Sequence, residues 1–393
     1  MKPLTPAALV VVSWAGFFGC LLLIRAAAPG EFELNDFPIF WSAAVVADRG
    51  GNPYDIDQTE PLMQAPGFWN PPYALPLYLP LGLMEVWPAR WLWTALNLGG
   101  ALVASVVFWR AFGGPTARAG VAVVLALTFY GQYWNLLMAH PLGLELGGLA
   151  GFMYFFRRDR PAAAGTCAAL TALKPHLLLI FALWLALGAT RRHGRVALLA
   201  GTITLFAGLA VAELVTPGVT RHYADAFRRP SGGSHQSMAG ITSGAPGYLL
   251  RERASDLDDP ATFWVQLVPA AAVGLFATGY WLMRRREWDW GAELPVAVCL
   301  SALATPYGFW ACDHALLLIP VLQAGARLAD RGSRGATWGL GLLYAAVAVE
   351  VATGFRLAWQ YGWHAALTLL GWSVAMWLTG RAKEGAAGDR LKG

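Results

Sequence analysis

The chain of 393 residues is poor in charge: Asp, Glu, Lys and Arg make up 13% of it, about half the share found in soluble proteins. A water-facing globular surface cannot be built from so few ionic groups, which excludes a soluble domain. Cysteine is also scarce. Cys20, Cys167, Cys299 and Cys312 lie in or beside apolar segments without C-x-x-C spacing, so neither a disulfide framework nor a zinc site is expected. H-E-x-x-H, a P-loop glycine pattern and G-x-S-x-G are all missing, and zincin, ATPase and serine-hydrolase chemistries lack their minimum residues. The net charge of +5 comes from short basic clusters between apolar runs. That pattern describes membrane topology and excludes nucleic acid as a partner.

What the chain does have is apolar length. Hydrophobic residues make up 56% of it, with 19 Trp, 44 Gly and 24 Pro, a composition suited to membrane helices and their interfaces. Apolar runs cover approximately 6–27, 72–86, 91–109, 119–139, 141–156, 161–173, 175–190, 195–216, 262–283, 291–304, 314–329, 336–355 and 363–380. Basic clusters at Arg157-Arg158-Arg160, Arg191-Arg192-Arg195, Arg284-Arg285-Arg286, Arg327-Arg331-Arg334 and in the tail are expected on the cytoplasmic side. Run 6–27 imitates a secretory signal before Ala26-Ala27-Ala28 but is nearly full spanning length, and is read as a retained helix. The expectation is an all-α polytopic protein of the inner (plasma) membrane, one integral domain over 1–393. It has about 12 transmembrane helices, with 72–86 or 119–139 dipping in without crossing.

On this topology two long segments face outward. Residues 29–71 carry seven acids (Glu31, Glu33, Asp36, Asp48, Asp55, Asp57, Glu60) against Arg49 alone. Residues 217–261 balance five arginines against five acids around a Gly/Ser-rich middle, Ser231 to Gly247, a mobile substrate-binding loop on this reading. In the first segment, Phe37, Phe40 and Trp41 at helical spacing suit an interfacial helix. Asp36 then either caps that helix or serves as an outward carboxylate able to take a proton from a hydroxyl. Asp55, in Asn52-Pro53-Tyr54-Asp55, has good turn chemistry. Gln132 and Asn135 put amides into an apolar run, where they need partners. Lys174-Pro175 interrupts another run, and its lysine either pairs with a buried carboxylate, snorkels, or meets a phosphate. Asp313-His314 is a helix cap or a proton relay.

These residues, in this order, resemble bacterial family 87 glycosyltransferases of the GT-C class. The resemblance rests on four blocks: Asn35-Asp36-Phe37 through Asp55; Asn70-Pro71-Pro72-Tyr73; Gly131-Gln132 through Leu173-Lys174-Pro175; and Thr305-Pro306-Tyr307 with Asp313-His314. It implies a GT-C-like fold and transfer of a sugar, mannose most often, from a polyprenyl-phosphate donor to a lipid or glycan hydroxyl at the non-cytoplasmic face, with inversion. It assigns Asp36 as general base. Lys174 and His314 become contacts to donor phosphate; Gln132, Asn135, Asp313, Tyr54 and Asp55 complete the expected substrate contacts. No cofactor is expected. A lipid phosphate is already an activated leaving group and a metal is not required, although a divalent ion among Glu33, Asp36 and Asp55 stays open. The alternative is a transporter or flippase of lipid-linked sugars, which broken helices and a buried lysine also suit.

Overall fold

The computed structural model describes residues 36–63, 68–228, 260–306 and 309–331, with short helical pieces between 337 and 379. The first apolar run, Glu31, Glu33, the Gly/Ser-rich middle of 217–261, Tyr307 and the basic tail lie outside the described residues.

Every regular element among the described residues is helical: α1 (Phe37–Asp48), α2 (Ile56–Met63), α3 (Leu75–Gly82), α4 (Val86–Ala111), α5 (Ala119–Thr128), α6 (Tyr130–Met138), α7 (Leu142–Phe156), α8 (Pro161–Ala168), α9 (Leu179–Gly188), α10 (Arg192–Val215), α11 (Val219–Arg228), α12 (Pro260–Arg284), α13 (Trp290–Ala304) and α14 (Leu318–Arg331). Short 3₁₀ turns at Ala169–Ala172, Pro175–Leu178 and Asp313–Leu317 join some of them.

Three stretches have the length and apolarity to cross a bilayer: Val86–Ala111, Arg192–Val215 and Leu267–Glu287. Thr116–Thr128 with Tyr130–Met138 makes a fourth if that pair, bent by 52°, is one broken span. Twelve spans are therefore not reached among the described residues. The reason is length: α7 and α13 have 15 residues each, about 22 Å at 1.5 Å per residue against ~30 Å of hydrocarbon. Run 72–86 yields only the eight residues of α3, with Pro76 and Pro80 inside. Run 119–139 breaks where Phe129 turns extended (φ −70°, ψ 124°).

The basic clusters gather at one end of this bundle. Arg157 Nη1 donates to Ala111 O (2.6 Å) and Arg118 Nη1 to Ala329 O (2.7 Å), while Arg191 bonds the Arg285 carbonyl. At the opposite end, Trp93 Nε1 near the start of α4 donates to Ala139 O (2.7 Å), and Tyr73 Oη donates to Ala172 O (2.9 Å).

Helix α1 departs from the interfacial reading. Phe37 and Phe40 are buried, as are Ala43, Ala44 and Ala47, and Phe40 stacks on Tyr78 of α3 with centroids 4.8 Å apart. A helix with a mean composition this apolar is better covered by protein than laid on a surface. Close helix contact elsewhere depends on small residues: a Cβ at Gly165 of α8 would collide with the Ala197 carbonyl of α10. Gly165→Leu is expected to destabilise the bundle by about 1–3 kcal/mol or more, read as a lower unfolding temperature in detergent. An unchanged midpoint would contradict the α8–α10 packing.

Candidate active site

Four segments from distant parts of the sequence meet at the end opposite the arginines. The first is the residue before α1. Asp36 occupies the N-cap position, yet its side chain makes no cap hydrogen bond. Its backbone N–H donates to Met138 O (3.0 Å), and its carboxylate Oδ2 lies 2.5 Å from His140 Nε2. The carboxylate is turned away from its own helix and toward another.

His140 reaches that position through backbone geometry. Ala139 ends α6 in the left-handed region (φ 58°, ψ 29°), a conformation that costs a non-glycine residue about 1–2 kcal/mol. The Trp93 indole holds the Ala139 carbonyl, and His140 N–H donates to Asn135 O (3.0 Å). Pro141 then opens α7, whose first N–H, from Leu142, donates to Asn135 Oδ1 (3.2 Å). Asn135 thereby fixes both sides of the turn.

The third segment is the break at Lys174. As the residue before a proline it takes an extended conformation (φ −125°, ψ 79°), as steric crowding by the ring requires. Its N–H donates to Glu145 Oε1 (3.0 Å), its Nζ donates to Asp313 Oδ1 (2.8 Å), and the same Nζ bonds His140 Nδ1. The Asn-Pro-Pro-Tyr segment braces this break: Asn70 Nδ2 donates to Leu173 O (3.3 Å) beside the Tyr73 bond to Ala172. The fourth segment supplies Asp313. Its side chain is fully buried, and its Oδ2 accepts from Trp310 N–H (2.9 Å).

The result is one chain of polar groups, Asp36–His140–Lys174–Asp313, graded in exposure. The Asp36 side chain is 39% exposed, His140 11%, Lys174 12% and Asp313 0%. An ammonium only donates, so His140 Nδ1 accepts from Lys174 and Nε2 carries the proton directed at Asp36. Asp36 Oδ1 has no partner among the described residues.

His140, Cys312 and Asp313 bring ligand atoms within 4.8 Å of one another, the spacing of a metal site. The Lys174 ammonium already bonds the histidine and the aspartate of that trio, so the place a cation would take holds the protein's own. Of the alternative trio of Glu33, Asp36 and Asp55, Glu33 lies outside the described residues. Asp55 accepts from Asp57 N–H (3.2 Å) and Gln58 Nε2 (3.0 Å) in its own turn.

The other expected residues separate into two groups. His314 is buried, 3.1 Å from Tyr130 Oη and stacked on Phe309; Gly131 allows this approach, since a Cβ there would collide with the His314 backbone. Gln132 is 1% exposed, and neither its Nε2 nor its Oε1 has a hydrogen-bond partner among the described residues. Tyr54 donates to Asn70 O (2.9 Å) and packs beside Tyr223 at 5.3 Å; burial pushes its phenol well above the usual range. Among the described residues, no hydrogen bond or ion pair joins Tyr54 or Asp55 to the Asp36–Asp313 chain. His140 and Glu145 were missed by the sequence reading. The signal for His140 is the one that exposed Lys174: an ionisable residue followed by proline at the junction of two apolar runs.

Helices long and apolar enough to cross a bilayer, with a carboxylate, histidine and lysine joined at one end of the bundle, define the class as a helical membrane protein. The sequence profile of Glycosyltransferase family 87 matches residues 68–306, more than half of the chain, and the chain belongs to that family. The matched region includes Gln132, Asn135, His140, Glu145 and Lys174; Asp36 and Asp313 lie on either side of it. No curated protein and no solved structure matches the chain.

Proposed function

We propose that this glycosyltransferase moves a hexose or pentose, with mannose the first choice, from a polyprenyl-phosphate donor to a lipid or glycan hydroxyl, and that Asp36 is the general base. The observation that carries the reading is the Asp36–His140 contact at the exposed end of an otherwise buried polar chain. With Oδ2 held by His140, Oδ1 accepts the proton of the acceptor hydroxyl as its oxygen bonds C1 of the sugar. The C1–oxygen bond breaks at the same time, and its electron pair leaves with the polyprenyl phosphate. Direct displacement inverts C1. Lys174 has three N–H groups and uses two among the described residues, which leaves the third, with its positive charge, to meet the developing phosphate charge.

Two features support a lipid donor. Leu83, Trp87 and Trp91 are exposed around the start of α4, beside the Arg90 and Trp93 side chains that bond residues 137 and 139. An apolar carrier therefore has lipid-facing surface next to the site. The site also stands one α7 length, about 22 Å, from the arginine end, less than the hydrocarbon thickness, which suits a phosphate met within a recess. Arginines at one end and the site at the other support a non-cytoplasmic site.

Gln132, buried with amide atoms that have no partner among the described residues, reads as a sugar-hydroxyl contact. Gln132→Leu removes a desolvated amide and is expected to leave stability unchanged or raise it by about 1 kcal/mol, while KM for donor rises severalfold; an unchanged KM would take Gln132 out of the subsite. The donor itself is tested by incubating purified protein with labelled polyprenyl-phosphate mannose, arabinose and glucose over a lipid extract. Transfer of one label is expected, and no transfer from any donor by folded protein would overturn the reading.

A further inference from the structure

The arginine end contains a cavity of about 300 Å³ that the transfer reaction does not use. Arg157, Arg191, Arg192 and Arg285 line it, at the ends of α7, α9, α10 and α12. Its other wall is aromatic: Trp281 and Trp290 are buried, and Trp288 meets Trp290 edge-on with centroids 5.6 Å apart. Arg157 enters because residue 291 is glycine; a Cβ there would collide with its guanidinium.

One acid, Asp289, also lines the cavity, and the acids nearby each have a partner. Asp289 caps α13 by accepting from Gly291 N–H (3.0 Å), and Asp159 pairs with His193 (3.2 Å). Arg157 and Arg191 each spend one N–H on a carbonyl, whereas the Arg192 and Arg285 side chains have no hydrogen-bond partner among the described residues. Basic clusters at helix ends ordinarily set orientation alone. Four arginines lining one cavity with an indole wall offer donors and charge suited to a phosphate.

We infer that this cavity binds the phosphate headgroup of an anionic phospholipid, a site separate from the one that meets the donor. The lipid source follows from position. Leu282 and Met283, exposed on the last turn of α12, lie beside Arg285, so a ligand with its phosphate among the arginines has apolar surface for its acyl chains.

The test is retention of phospholipid by purified protein after exposure to mixed phosphatidylglycerol and phosphatidylcholine vesicles, read by native mass spectrometry. Wild type is expected to keep phosphatidylglycerol preferentially. Arg192→Ala with Arg285→Ala should lower that retention at least about tenfold, since both guanidinium groups would lose charge-assisted hydrogen bonds to the phosphate. Arg158→Ala with Arg286→Ala removes the same charge from the same end outside the cavity and should change retention less than about twofold. Arg192→Glu alone repeats the test with one exposed side chain on which no packing depends. Equal loss in both double variants, or loss in neither, overturns the proposal. Retention of inorganic phosphate with no retention of phosphatidylglycerol would overturn phospholipid as the source.

Discussion

Asp36→Asn is expected to lower sugar transfer by about a hundredfold to ten-thousandfold, the range that a positioned general base contributes, without loss of folding or donor binding. The substitution is nearly isosteric, and the carbonyl of the introduced amide still accepts from His140 Nε2, so the geometry of the 2.5 Å contact survives while the basic oxygen does not. An effect confined to the catalytic rate therefore reads as chemistry. The assay in detergent separates the enzyme from a lipid-linked-sugar transporter, because transport has no meaning without a sealed membrane. A variant within about threefold of wild type would remove Asp36 from the mechanism.

Lys174→Met is expected to produce the largest loss of stability. It strands the Asp313 carboxylate, fully buried and 2.8 Å from the departed ammonium. Breaking a buried pair from one side costs about 3–5 kcal/mol, whereas replacing both partners by apolar residues is often close to neutral. Lys174→Met with Asp313→Leu should accordingly recover most of the unfolding temperature lost by the single variant. Activity should stay low in both, because His140 Nδ1 loses the donor that orients the ring. Full activity in the double variant would show that the Lys174–Asp313 pair holds the fold alone. A single variant as stable as wild type would deny the pair itself.

The sequence made the membrane character and the break at Lys174 legible because both are local: apolar composition is a property of each run, and proline dictates the conformation of the residue before it. Asp36 was visible as a position at a helix start, but cap and outward carboxylate have the same local spacing. The choice between them depends on Met138 and His140, far along the chain. The partner of Lys174 was open for the same reason, since only tertiary packing brings Asp313 to it. His140 went unread because a lone histidine after an apolar run looks like a boundary residue. Its role arises from the left-handed turn at Ala139, which no pattern of apolar residues announces. Tyr54 and Asp55 entered through the family resemblance; in the fold Asp55 closes its own turn with Asn52, and Tyr54 fastens the Asn70 segment. Twelve spans are not reached among the described residues, because hydropathy registers apolar runs regardless of whether a helix persists through them, and α3, α7 and α13 stop short of a bilayer's thickness.

The most direct test of the proposed displacement is the configuration at C1 of the transferred sugar, determined by NMR in donor and product from one turnover of purified protein. A single base at Asp36 acting on an acceptor hydroxyl predicts inversion. Retention would require a double displacement or attack from the face of the leaving group, and would contradict the account.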